Sequence, residues 1–130
     1  MSRAILDSYY AALRDGDFAV LEGLLAPDIR VRYFGPEGLL PWVGQHDGFE
    51  AYRRFLGLVR AALEIVRVEQ EAVIAEGDWV VVLGHGHWRA RATGRAIDVR
   101  MTNAFRFRDG RIAEYRVYTD TATFAAALQR

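Results

Sequence analysis

The sequence contains no cysteine. That removes disulfides, thiolate nucleophiles and cysteine–zinc centres together. It has no excess of either charge: 17 basic residues, all of them arginine, face 17 acidic ones. A neutral balance leaves no basic footprint for nucleic acid and no polybasic surface for a membrane. No apolar run approaches the roughly 20 residues that a bilayer-spanning helix needs. The opening MSRAILDSYY has no apolar core before a cleavage site, so it does not read as a secretory leader. The expectation is a cytoplasmic protein.

What is present suits one domain over residues 1–130: half the residues are hydrophobic (52%) and a quarter charged (26%), enough to bury a core. Ile5, Tyr9 and Leu13, with Leu6 and Tyr10 beside them, mark one apolar face of a helix within residues 3–14. Asp15-Gly16-Asp17 ends it, and Asp17 is placed to cap a second helix that presents Phe18, Leu21, Leu24 and Leu25 before Pro27 stops it. Residues 29–34 alternate as a strand. Residues 35–48 form the one irregular stretch, and a connection of that length is often functional. Its Leu39, Leu40, Trp42 and Val43 are too apolar for an idle loop. Asp47 and Glu50 have capping-box spacing for a third helix, whose buried face is Phe49, Tyr52, Leu56, Val59 and Leu63. Residues 64–76 read as a strand with Val66, Val68, Ala72 and Ile74 on one side.

From Asp78 to Thr119 the chain reads as an antiparallel meander, jointed at Thr93-Gly94-Arg95 and at Arg108-Asp109-Gly110-Arg111. Asp-Gly between alternating runs signals a hairpin, because a type I′ turn needs φ > 0 at both central residues. Asp120 is placed to cap a last short helix. The order is α-α-β-α-β-β-β-β-α. Period-two alternation turns Ile97, Val99, Met101, Asn103, Phe105 and Phe107 inward, with Ala113, Tyr115, Val117 and Thr119 on the next strand. Val80, Val82, Gly84, Gly86 and Trp88 also face in, and glycine at two inward positions predicts a cavity. His85, His87, Arg89 and Arg91, beside Trp79, Val81 and Leu83, then face out as a mixed surface suited to a homodimer contact.

The segments YYAALRDGD (9–17), LLAPDIRVRYF (24–34), LPWVGQHDG (40–48), TGRAIDVRMTNAFRFRDGRI (93–112) and YTDTATFAAAL (118–128) resemble the nuclear transport factor 2-like fold. Within that fold they are similar to SnoaL-like and ketosteroid isomerase-related proteins. The resemblance implies an α+β cone in which a curved, mostly antiparallel sheet wraps three helices around an apolar pocket. It implies no cofactor. The fold hosts isomerases, cyclases, epoxide hydrolases, dehydratases and binders without chemistry, so it does not by itself name a reaction. Ketosteroid isomerases oppose an aspartate base to a tyrosine and a protonated aspartic acid. In this chain the tyrosine falls on Tyr9, the protonated acid on Asn103 and the base on Tyr33, so one donor is kept, an amide replaces the second and the base is missing. The Asp–Arg–Asp set of limonene epoxide hydrolase-type members falls on Gly84, Gly86 and Val117, which cannot supply it. A SnoaL-type carboxylate near the last strand would be Asp120.

Each candidate carries two readings. Asn103 either donates to a ligand carbonyl or is a core amide bonded to a neighbouring hydroxyl such as Tyr9; Tyr9 is itself either catalytic or core. Asp120 either moves a proton or only caps its helix. His46 with Asp47 is either a base-like pair at the pocket mouth or a solvated turn. Tyr33, Trp42, Trp88, Met101, Phe105, Tyr115 and Val117 would line the pocket. His85 and His87, with His46 as a third imidazole, have the chemistry for Zn, Cu or Ni. With no acid evidently placed beside them, the expectation is no metal. The leading function is a cofactor-free isomerase- or cyclase-type enzyme acting on a small hydrophobic carbonyl or polyketide-like molecule. The alternative is a dimeric protein that binds or senses such a ligand.

Overall fold

Of the apolar face read in the first helix, Leu6 and Tyr9 of α1 (Ser2–Asp15) are buried together with Ala12, while Ile5, Tyr10 and Leu13 pack half-buried against the core. The computed structural model describes residues 2–130. After α1 come α2 (Phe18–Leu24), β1 (Leu25–Tyr33), β2 (Gly44–Asp47), α3 (Phe49–Ala62), β3 (Leu63–Glu76), β4 (Trp79–Ala90), β5 (Ala96–Arg108), β6 (Arg111–Thr119) and α4 (Thr121–Leu128). The expected order is present, and a four-residue strand, β2, is added inside the irregular stretch. The six strands form one sheet in the order β2-β1-β6-β5-β4-β3. All neighbours run antiparallel except β1 and β6, which run parallel. Strands from residues 25–47 and from residues 63–119 thereby join in one sheet around one core, as the resemblance implies.

The local signals account for most boundaries. Asp17 Oδ1 accepts from the Val20 amide at 3.2 Å at the start of α2. Asp109 and Gly110 both have positive φ, at 52° and 75°, as the hairpin between β5 and β6 requires. Pro27 lies between Leu25 and Arg30, where the β1–β6 register shifts, so its missing N–H breaks no ladder bond. One cap is not as expected. Asp47 belongs to β2 and pairs with Arg32 Nη1 at 2.7 Å, while Gly48 at φ 86° starts α3 with no side-chain cap.

Most of the inward set of the meander is as expected: Val80, Val82, Gly84, Gly86, Trp88, Ile97, Val99, Asn103, Phe105, Phe107 and Val117 are buried. Strand β6 departs at its start, where a register shift puts Ile112 rather than Ala113 across from Phe107. Strand β3 departs from expectation. Register shifts at 65–67 and 70–72 place Val68 opposite Gly86, on the inner side, and Ala72 and Ile74 opposite Leu83 and Val81, on the outer side. Two bulges thus split apolar residues that simple alternation puts together. The space expected at the inward glycines is also filled. A Cβ on Gly86 would lie 1.9 Å from Trp88 Cη2, so the indole folds back across Gly86 and meets Phe124 edge-on at 5.2 Å. A Cβ on Gly84 would make an ordinary contact with Met101 Cγ at 3.5 Å. Leu40 and Trp42 of the apolar loop are core residues, 2% and 0% exposed.

Gly86→Ala is therefore expected to displace Trp88 and destabilise the fold by about 1–3 kcal/mol, the usual cost of overpacking. Gly84→Ala is expected to be nearly neutral. Urea unfolding followed by tryptophan fluorescence measures both, and equal midpoints for the two variants would contradict this placement of the indole.

Candidate functional site

Four elements send phenols toward one region inside the cone. Tyr9 and Tyr10 come from α1, Tyr52 from α3, Tyr33 from β1 and Tyr115 from β6. Strand β5 brings Asn103 and Phe105, which lie directly across from Val117 and Tyr115. The Tyr9 and Tyr52 hydroxyls bond at 2.7 Å, in the core. Asn103 Nδ2 donates to the Tyr10 hydroxyl at 3.2 Å. The neighbouring hydroxyl that Asn103 meets is that of Tyr10 and not Tyr9, whose own hydroxyl is bonded to Tyr52. Phe105 holds the phenols in place: Tyr115 stacks on it with centroids 5.0 Å apart, and Tyr9 meets it edge-on at 5.4 Å.

Among the described residues, two buried side-chain polar atoms have no hydrogen-bond partner, Asn103 Oδ1 and Trp42 Nε1. An amide can also be turned end for end, since Tyr10 can donate as well as accept. In either orientation one end of Asn103 stays free inside an apolar cone. Trp42 Nε1 faces the Tyr33 hydroxyl, whose pKa it lowers against the larger upward effect of burial. The two groups are in contact without a formed hydrogen bond.

Burial is the main influence on every phenol here. It pushes Tyr9 and Tyr115 well above the ordinary tyrosine value, and it raises Tyr52 as well. Tyr10 is pushed up to about 12, with Asn103 pulling the other way. All five tyrosines are thus neutral donors at physiological pH, and none is a base. Tyr115 and Met101 are only half-buried although both are on the inner side. Val117 completes this wall, whereas Trp88 packs against α4.

The remaining candidates lie apart from the phenols. Asp120 is exposed and caps α4: its Oδ1 accepts from the Thr123 amide at 3.2 Å and its Oδ2 from the Thr123 hydroxyl at 2.6 Å. These bonds lower its pKa, the side-chain bond most. His46 Nε2 donates to the Trp42 carbonyl at 2.8 Å, which leaves Nδ1 as the free nitrogen. Its ring lies 4.9 Å from Phe55, which in turn contacts Tyr33 and Tyr52. His46 and Asp47 do not act as a pair, because successive strand residues face opposite ways and Asp47 is bonded to Arg32. Nor can His46 join His85 and His87, since β1, β6 and β5 separate its strand from theirs. Two surface grooves, of 540 Å³ between the Gly38–Val43 loop and α4 and of 590 Å³ beside α2, include none of the phenols.

Tyr10 and Tyr52 join this cluster, although in the sequence they mark only the apolar face of a helix. The available signal was tyrosine, with its hydroxyl, at positions where leucine or phenylalanine would pack equally well.

The class of protein is that of a nuclear transport factor 2-like cone with a polar patch on its inner wall. More narrowly, the SnoaL-like domain family model matches residues 6–115, and the chain belongs to that family. Solved structures agree. A nuclear transport factor 2-like protein from Burkholderia xenovorans LB400 is 28% identical, with 97% of this chain and 94% of that one covered and a TM-score of 0.86. Another of unknown function from Burkholderia pseudomallei is 25% identical, with 98% and 97% covered and a TM-score of 0.87. A protein of unknown function with a cystatin-like fold from Xanthomonas campestris is 26% identical, with 98% and 97% covered and a TM-score of 0.79. No curated protein matches the chain in sequence. No helix among the described residues is long and apolar enough to cross a membrane.

The phenol shifts have a stability consequence. A tyrosine whose folded pKa lies above its unfolded value of about 10 supports the fold fully below that pH and loses the contribution as pH rises toward the folded value. Absorbance at 295 nm is expected to show Tyr9, Tyr10, Tyr33, Tyr52 and Tyr115 ionising only above pH 10, together with unfolding. Reversible titration of all six tyrosines near pH 10 in the folded protein would contradict this site.

Proposed function

We propose that the chain binds a small hydrophobic molecule with its oxygen among Tyr9, Tyr10, Tyr52, Tyr115 and Asn103, and polarises that oxygen in an isomerase- or cyclase-type reaction without a cofactor. One observation carries the reading: neutral phenols converge beside an amide with one unpaired end, in an otherwise apolar interior. The Tyr9–Tyr52 bond uses one of two hydroxyl protons, so the other is free to donate. Tyr10 accepts from Asn103 and keeps its own proton. Donors set in advance around a developing oxyanion act strongly where water is excluded, and removing one costs about 10²–10³ in rate. A carbonyl or polyketide-like substrate fits this inventory.

The same residues favour a second reading, binding without turnover. No carboxylate takes part in the phenol hydrogen bonds, Asp120 is spent on its cap, and His46 reaches the cluster only through Phe55. Either way the chain would assemble as a homodimer through the apolar end of its outer sheet face, where Leu83 and Ile74 are 38% and 52% exposed, with the charged end around His87 left uncovered.

Native mass spectrometry of the purified protein is expected to show a co-purified organic ligand. With that ligand, Tyr9→Phe and Asn103→Leu should each weaken binding roughly five-fold, as expected for one lost hydrogen bond. If the protein is an enzyme, the loss falls on kcat by about 10²–10³ instead. Binding and turnover that survive both substitutions unchanged would exclude the assigned roles. Leu83→Arg is expected to convert dimer to monomer in sedimentation velocity, and a dimer that persists would place its interface elsewhere.

A further inference from the structure

The outer face carries a second constellation, built from three neighbouring strands. Glu69 of β3 lies directly across from His85 of β4, and Asp98 of β5 directly across from His87. The two imidazoles stand side by side with centroids 4.4 Å apart. His87 Nε2 is 3.5 Å from Glu69 Oε1, and His87 Nδ1 is 3.6 Å from Asp98 Oδ2. His85 Nε2 is bonded to Asp98 Oδ1. One donor atom from each of Glu69, His85 and His87 lies within 4.8 Å of the other two. Glu69 and Asp98 are the acids that sequence spacing did not reveal beside the histidines.

We propose that Glu69, His85 and His87, with Asp98 beside them, bind one divalent transition-metal ion of the zinc class on the outer face of the sheet. Two imidazoles with a carboxylate select zinc, nickel or copper over the hard cations, which prefer oxygen alone. In tetrahedral coordination, ligand atoms at about 2.1 Å from such an ion sit about 3.4 Å from one another, with Glu69, His85 and His87 at three of the positions. The separations seen here reach that value by small side-chain rotations. Those rotations cost little, because the carboxylate side chains are 48% and 65% exposed. Asp98, which accepts from His85, orients that ring in the way that carboxylates commonly support metal-binding histidines.

Arg67 marks the place. Its Nη2 donates to His87 Nε2 at 3.2 Å and its Nε meets Glu69 Oε1 at 2.8 Å, so a cation already occupies the gap between two of the ligands. The Arg67 side chain is 62% exposed and free to swing away. Its departure changes the formal charge of Glu69, Asp98 and Arg67 from −1 to −2, matched to a divalent ion. An ordinary surface charge network would show no such competition.

The test is isothermal titration of tag-free, EDTA-treated protein with zinc chloride, repeated with nickel chloride. The expected result is one ion per chain, at least ten-fold weaker binding in His87→Ala and Glu69→Gln, and several-fold tighter binding in Arg67→Ala, all with unchanged circular dichroism. If His87→Ala fails to fold, Arg67→Ala still decides, because its affinity must rise. The proposal is overturned if the wild-type chain binds no zinc, if binding persists in the His85→Ala/His87→Ala double variant, or if Arg67→Ala leaves affinity unchanged.

Discussion

The hydrogen bond between the Tyr9 and Tyr52 hydroxyls joins α1 to α3 inside the cone. Burying a hydroxyl costs far more when it is left unpaired than a formed bond gains, so each phenol holds the other in place. Phe105 then packs against Tyr9, Tyr10 and Tyr115. The bond does not consume all the donors it brings together. Two hydroxyls meeting each other leave one proton over, and the neighbouring pair of Asn103 and Tyr10 leaves another proton and a free amide end. The interior is thus stable as it stands and still chemically unsaturated.

Much of this was legible in the sequence. Alternation in β5 identified Asn103 as the one polar residue on an inward face, and it is 5% exposed there. The Asp109-Gly110 turn and the caps at Asp17 and Asp120 were local signals and are found as read. What escaped the reading depends on contacts between distant segments. The bulges of β3 are set by pairing with β4 and leave no mark in composition. Trp88 folds across Gly86 because Phe124, far along the chain, gives its indole a surface to meet. Tyr52 looked like any aromatic on a helix face until the fold set its hydroxyl against Tyr9. The acids beside His85 and His87 were hidden in the same way, since each comes from a different strand.

The two faces of the sheet divide their chemistry sharply. On the inner side polarity comes from uncharged hydroxyls and one amide, because an isolated charge there would cost several kcal/mol to desolvate. On the outer side charge is paired across strands. Glu114, only 5% exposed, is neutralised by Arg106 and Arg116, and Arg116 lies over the Trp79 ring at 4.9 Å. His85 and His87, whose imidazoles stand out in the sequence, belong to this outer, ionic layer.

The parallel pairing of β1 with β6 bears on how the protein is made. β1 ends at Tyr33 and its parallel partner does not begin until Arg111, so the sheet cannot close until β6 has left the ribosome. Until then α1 presents Tyr9 and Tyr10 with no β5 or β6 to cover them, an apolar surface open to other partners. Contacts this distant in sequence are slow to form and leave nascent chains prone to association. The same strand pairing that gives the cone its wall makes the last third of the chain responsible for protecting the first.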